Sequence, residues 1–195
     1  MRLQAFRIKN YRSIKDSGWQ NFSPDNVTGL IGQNEAGKTA ILEALYSFPT
    51  AEISQDIIRS DDTLPEVSCS YNFAWGEIKE LFKDKILPKG LAKFINTKGR
   101  VNLKRAWISP DEEGTLSLEE EELSLLFNPT QEDVKTESQE TKTQNEGDNK
   151  PISTPAPQVT EKEFIDTIFD KSPEFEFFED LASVLPDTID LEDLH

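Results

Sequence analysis

The spacing of apolar and polar positions marks out most elements of the chain before any side-chain chemistry is considered. Residues 66–75 carry the clearest pattern. Val67, Cys69, Tyr71, Phe73 and Trp75 alternate with Ser68, Ser70, Asn72 and Ala74. A period of two over that length predicts a half-buried strand, ended by Gly76. Residues 100–108 place Val101, Leu103 and Trp107 on one face, interrupted by Arg105, and a turn at Pro110–Gly114 leads to a short return strand at 115–118. These three strands are expected to form an antiparallel sheet. Looser alternation predicts a strand over 2–9, a turn at Asn10–Ser13 and a second strand over 14–22. Helical spacing is expected at 77–82, 91–95, 119–127 and 161–169, the last through Phe164, Ile165, Ile168 and Phe169. A helical turn is expected at Ser54–Ile58 and a strand at 173–178.

One stretch combines this patterning with specific chemistry. The apolar run Val27-Thr28-Gly29-Leu30-Ile31 suits a buried strand. It is followed by Gly32-Gln33-Asn34-Glu35-Ala36-Gly37-Lys38-Thr39, which reads G-x-x-x-x-G-K-T. After it, Ala40 to Tyr46 suits a helix packed through Ile41, Leu42 and Leu45 and stopping near Phe48-Pro49, because the residue before a proline disfavours helix. Strand, glycine loop and helix is the context a phosphate-binding P-loop requires. Gly32 and Gly37 allow backbone angles and approaches that a Cβ would obstruct. The loop can then aim successive N–H groups at an anion, and the helix adds its free amides and the positive end of its dipole. Lys38 is expected to reach the β- and γ-phosphates and to stabilise transition-state charge. The Thr39 hydroxyl is expected to ligate Mg²⁺, and Ala40 opens the helix whose amides face the phosphates. The expected ligands are ATP and Mg²⁺.

Charge changes the picture of the second half. The net charge is −16 over 195 residues, but residues 1–110 sum to +4 and residues 111–195 to −20. The first part is a mildly basic globular piece. Residues 128–160 contain no aromatic residue and few aliphatic ones, too little to offset an ordering entropy of about 1–2 kcal/mol per residue. They are expected to be a disordered polar linker or insertion. The domain reading is therefore a P-loop lobe at 1–127, the linker at 128–160, and an acidic helix–strand segment at 161–195 that returns to the lobe. Cys69 is the one cysteine, so no internal disulfide can form. There is no apolar run of transmembrane length and no signal-peptide core, so a cytoplasmic location and no membrane partner are expected.

The opening resembles a known family. Ile8-Lys9-Asn10-Tyr11-Arg12-Ser13-Ile14, followed by Leu30 through Leu45, is similar to the start of the ABC-type ATPase heads of the SMC, RecF and OLD group, with Asn34 and Glu35 in the OLD/RecF flavour. The segment from Pro173 to Leu191 also resembles OLD-like ATPases. The resemblance implies an α/β fold with α+β character: the N-terminal lobe of a P-loop ATPase head, with mixed and antiparallel strands. It implies that Gly32 through Thr39 bind phosphates and Mg²⁺, that Arg12 approaches the phosphates, and that a homodimer or a partner ATPase lobe completes the site. Arg59 lies where such heads carry an arginine-bearing loop. DNA processing in phage defence or repair, by the complete protein, is the implied role. The sequence departs from the pattern in two places. It has no [LI]-S-x-G signature and no run of four apolar residues ending in Asp-Glu. The expectation is a lobe of a longer protein that binds ATP and hydrolyses it only when completed, and in OLD-type proteins a TOPRIM nuclease domain follows the head.

Two other readings compete. Asp111-Glu112-Glu113-Gly114 formally gives the D-x-x-G of a P-loop GTPase, and Asn96-Thr97-Lys98-Gly99 sits near the place of a guanine-reading motif, but without its Asp. A nucleotide-binding or non-catalytic interaction module is the other.

Overall fold

A computed structural model describes residues 1–33, 37–59, 63–88, 90–127, 157–173 and 175. The elements in chain order are β1 (Arg2–Tyr11), β2 (Ile14–Asp16), β3 (Gln20–Asn21), α1 (Lys38–Thr50), a 3₁₀ turn (Gln55–Ile57), β4 (Glu66–Asn72), α2 (Trp75–Leu81), α3 (Leu91–Lys98), β5 (Arg100–Ala106), β6 (Thr115–Leu118), α4 (Glu120–Phe127) and α5 (Glu161–Asp170). The strands form one six-stranded sheet in the order β2-β1-β4-β5-β6, with β3 also on β1. Every pair is antiparallel. The result is the mixed α/β architecture with an antiparallel sheet that the sequence implies.

The register explains the core. Phe6 and Ile8 of β1 pair with Cys69 and Val67 of β4, which pair in turn with Leu103 and Arg105 of β5. Val67 through Tyr71 are all buried. The expected half-buried strand is thus a central one: β1 and β5 flank it, and Ser68 on its second face reaches the Glu119 carboxylate at 3.4 Å. Arg105 does not break the alternation of β5 either. It lies on the same buried face as Val101 and Leu103 and is 7% exposed. The Cys69 thiol is fully buried, and desolvation raises its pKa, which makes it inert.

The expected strand over 14–22 is two short ones. Gly18 at φ +60° turns the chain between them, while the Ile8 amide donates to Ser17 Oγ at 2.9 Å. Arg7 fixes this turn by donating from Nε and one Nη to the two oxygens of Asp16, at 3.0 and 2.6 Å. The Arg7 guanidinium, and then the Gly18 amide, hold the Asp16 carboxyl well below the usual carboxylate range. A depressed folded-state pKa adds stability that is present above the unfolded value, near 3.8, and is lost as the pH falls below it. The melting temperature of the wild type should therefore fall with acid from about pH 4 downward, with a shallower slope in Asp16→Asn. Thermal melts across that range check this, and equal slopes would contradict it.

The apolar run Val27–Ile31 is not a buried strand. Residues 27–33 have no regular structure, Val27 is 75% exposed and Ile31 fully so. A buried strand needs pairing on its edges. β1 is already taken by β4 on one side and by β2 and β3 on the other. The helix face also differs from expectation. Ala40, Ala44, Leu45, Ser47 and Phe48 are buried, whereas Leu42 is exposed. Small residues at 40 and 44 let α1 lie close across β1 and β4. The helix continues through Pro49, which sits inside its last turn, and ends at Ala51 (φ +62°), whose amide donates to Ser47 O.

Residues 157–173 pack on this body. The Ile86 amide donates to Pro157 O at 3.0 Å, and the Val159 amide to Ile86 O at 2.9 Å. Val159 is buried. The last residues of the stretch read as a polar linker therefore belong to the fold, while 128–156 lie outside the described residues. Thr160 caps α5 by accepting from the Glu163 amide. Phe164 stacks on Phe82 with ring centroids 5.6 Å apart, and Phe169 meets Phe48 at 6.0 Å. The expected strand at 173–178 lies outside the described residues except for Pro173 and Phe175. Phe175 is also against Phe48, at 6.4 Å.

Candidate functional site

The second glycine of the loop does what its sequence position demands. Gly37 is the N-cap of α1 at φ +84°, ψ 12°, a left-handed conformation that costs an L side chain energy. A Cβ there would meet Ser13 Oγ at 3.6 Å. The first intrahelical bond runs from the Ile41 amide to Gly37 O at 3.1 Å, so Lys38, Thr39 and Ala40 form the amide-presenting first turn. Lys38 Nζ donates to Gly32 O at 2.9 Å and to Gln33 O at 2.7 Å. This lysine is therefore held over its own loop by two carbonyls. Asn34, Glu35 and Ala36 lie outside the described residues.

Two elements converge on this helix start. The β1–β2 turn brings Arg12 and Ser13 beside Gly37, Lys38, Thr39 and Ala40, and the six residues line a hollow of about 230 Å³. Asn10 and Arg12 take positive φ, +54° and +50°, in this turn. The 3₁₀ segment holds it there: the Arg12 amide donates to Ile57 O at 2.9 Å, and Arg59 donates to Arg12 O at 3.0 Å. The Arg12 guanidinium lies 2.8 Å from a Glu43 oxygen on α1 and 2.9 Å from an Asp56 oxygen. The Asp56 carboxyl is held below its ordinary pKa by the Ser54 hydroxyl and then by Arg12. Tyr11, fully buried, joins β1 to α1 through a 2.9 Å hydrogen bond with Ser47.

The structure thus brings Arg12 to the loop, and places Arg59 behind Arg12 as a backbone support. Ser13 lines the same hollow, although the sequence reading assigned it no role. Its signal was its place in the Asn-Tyr-Arg-Ser turn. The Asp111–Gly114 stretch goes elsewhere. The Gly114 amide donates to Ala51 O at 2.8 Å, at the far end of α1. That is about 20 Å of helix from Lys38, so this D-x-x-G does not meet the phosphate loop.

The donor set fits a magnesium polyphosphate. It offers a positive-φ glycine, a helix N-terminus, two cations and two hydroxyls around one hollow, all suited to anionic oxygen or to Mg²⁺. Among the described residues there is no group of three or more His, Cys, Asp or Glu that could hold a metal by itself.

Comparison with known proteins agrees. The profile of the AAA ATPase domain matches residues 1–186. The chain belongs to the AAA ATPase domain family. The DNA replication and repair protein RecF of Deinococcus radiodurans is 50% identical to it over 46 residues, which are 24% of this chain and 12% of that relative. A solved chain, described for ATP-driven dimerization and DNA-stimulated activation of SMC ATPases, covers 60% of this chain and 69% of its own length at 18% identity, with a TM-score of 0.40. Among the described residues, no helix of this AAA ATPase domain is long and apolar enough to cross a membrane.

Proposed function

We propose that residues Gly32 to Ala40 bind the triphosphate of ATP with Mg²⁺, and that this lobe couples nucleotide binding to DNA processing together with a second ATPase lobe or a second copy. The observation that carries the reading is the hollow in which the start of α1, Lys38 and Thr39 face Arg12 and Ser13. ATP would supply a phosphoanhydride whose cleavage releases the free energy the assembly uses. In this chain, Gly37 lets the backbone turn toward the phosphates, and the Lys38–Ala40 amides donate to them. Lys38 exchanges its carbonyl partners for phosphate oxygens, and Thr39 offers its hydroxyl to Mg²⁺. Arg12, paired with Glu43 and Asp56, adds charge at the rim. The sequence has no run of four apolar residues ending in Asp-Glu to position water, so the proposed division is binding by this lobe and hydrolysis with a complementing one. OLD-type action in phage defence or repair is the finer form of this reading. It is supported by the Asn-Tyr-Arg-Ser turn and the Asn34-Glu35 pair.

Titration with a fluorescent ATP analogue in Mg²⁺, followed by competition with ATP and GTP, tests the proposal. Saturable binding, displaced by ATP at lower concentration than by GTP and weakened by a chelator, is expected. Absence of saturable binding, or a preference for GTP, would overturn it.

A further inference from the structure

The helix that opens at the phosphate loop is clamped at its other end by a cation buried in the sheet. Arg105 lies on the core face of β5, opposite Val67 of β4 and Leu116 of β6. Both of its hydrogen-bond acceptors are main-chain carbonyls. Nε donates to Phe48 O in the last turn of α1, and an Nη donates to Gly114 O, each at 2.5 Å. Its guanidinium also faces the rings of Phe48 and Phe169, at 5.8 and 5.2 Å. Trp107, two residues on, adds a second anchor. Its Nε1 donates to Ala51 O at 2.8 Å, an acceptor shared with the Gly114 amide. Arg105 of β5 and Trp107 just beyond its end therefore grip the carbonyl end of α1.

Filling space does not explain the charge. An apolar side chain of similar volume commonly serves a buried position as well as or better than an ion. What the guanidinium adds is direction: a planar fork that fixes two carbonyls at once, placed where the helix dipole is negative. The anchored turn contains Pro49, whose missing N–H leaves Leu45 O without its usual intrahelical donor. The helix between the clamp and the loop is 13 residues of stiff backbone, so where Phe48 is held decides where Gly37, Lys38 and Thr39 stand relative to Arg12 and Ser13.

We propose that Arg105, assisted by Trp107, is a positioning residue for nucleotide binding, acting through α1 on the loop at its opposite end. The proposal rests on the reading of residues 32–40 as the ATP site. It also joins α5 to that site, because Phe169 forms one wall of the Arg105 environment.

The test compares wild type, Arg105→Met, Arg105→Lys and Trp107→Phe for binding of a fluorescent ATP analogue with Mg²⁺. All are measured well below the melting temperature, with folding checked by circular dichroism. Arg105→Met should weaken binding by about tenfold, the effect expected from losing a charge-assisted hydrogen bond that sets geometry. Arg105→Lys, which keeps the charge but not the fork, should recover part of that loss. Trp107→Phe removes one donor with little change in volume, and it decides the matter if the Arg105 variants do not fold. A folded Arg105→Met or Trp107→Phe that melts lower but binds within about twofold of wild type would show a purely structural clamp and overturn the proposal. Failure of the wild type itself to bind would instead overturn the ATP-site reading, and this inference with it.

Discussion

Replacing Lys38 with alanine is expected to abolish measurable MgATP binding while leaving the melting temperature of the nucleotide-free protein nearly unchanged. The two halves have separate causes. Lys38 is the one side-chain cation that the G-x-x-x-x-G-K-T pattern directs at the phosphates. Hydrogen bonds to charged groups contribute about 1.5–3 kcal/mol each, so losing two of them weakens binding by about a hundredfold or more. The fold loses much less. Before nucleotide arrives, Nζ is bonded to Gly32 O and Gln33 O in an exposed setting. Those bonds tie down the loop and leave the core residues around Ala40, Ala44 and Phe48 untouched. Net contributions of exposed hydrogen bonds are about 1 kcal/mol or less, which is about 2–4 °C in a protein of this size. Calorimetric titration and a thermal melt check both halves. Retained affinity would remove Lys38 from the site. A melting temperature lower by about 10 °C would mean that the loop is part of the folding core.

The sequence allowed Lys38 to be identified but not its resting partners, and that contrast runs through the molecule. Features with a local cause were legible. The alternation at 66–72 and 115–118, the apolar stripe of α5 and the glycine demanded at position 37 each depend on a few consecutive residues. Features set by distant partners were not. Arg105 reads as a break in an apolar strand because nothing near it in sequence reveals Phe48 O and Gly114 O, which only the packed α1 and the β5–β6 turn supply. Val27–Ile31 reads as a buried strand because its composition is apolar, yet burial requires a pairing edge and β1 offers none. The same logic explains the site. The phosphate loop is written in one contiguous motif. Arg12 could be placed by its resemblance to a family turn. Ser13 and the Glu43–Asp56 pair around Arg12 become visible only when β1, α1 and the 3₁₀ segment are assembled.

Gly90→Ala should be among the most destabilising single-methyl additions in this chain. Gly90 precedes α3 at φ −80°, ψ −9°, angles that alanine adopts freely, so the backbone conformation is not the obstacle. Space is. A Cβ at this position would fall far inside contact distance of the Leu125 carbonyl group and close to Leu126 Cα, all backbone atoms of α4. Backbone cannot swing aside as a flexible side chain does. Accommodation requires α3 and α4 to separate. That would unseat Leu91, Phe94 and Leu126, each essentially buried. Overpacking of this kind costs about 3 kcal/mol, which corresponds to a fall in melting temperature of about 6–12 °C for a chain of this length. Gly76→Ala provides the control. It adds the same methyl inside α2, where no atom lies within 4 Å of the new Cβ. Alanine also has the higher helix propensity, so the melting temperature there should hold or rise slightly. Because α3 and α4 supply no residue of the hollow beside Lys38, whatever Gly90→Ala protein remains folded should bind MgATP as the wild type does. Equal melting of the two variants would show that α3 and α4 are not in the close contact described here. A selective loss of nucleotide binding in folded Gly90→Ala would instead tie this helix pair to the phosphate loop.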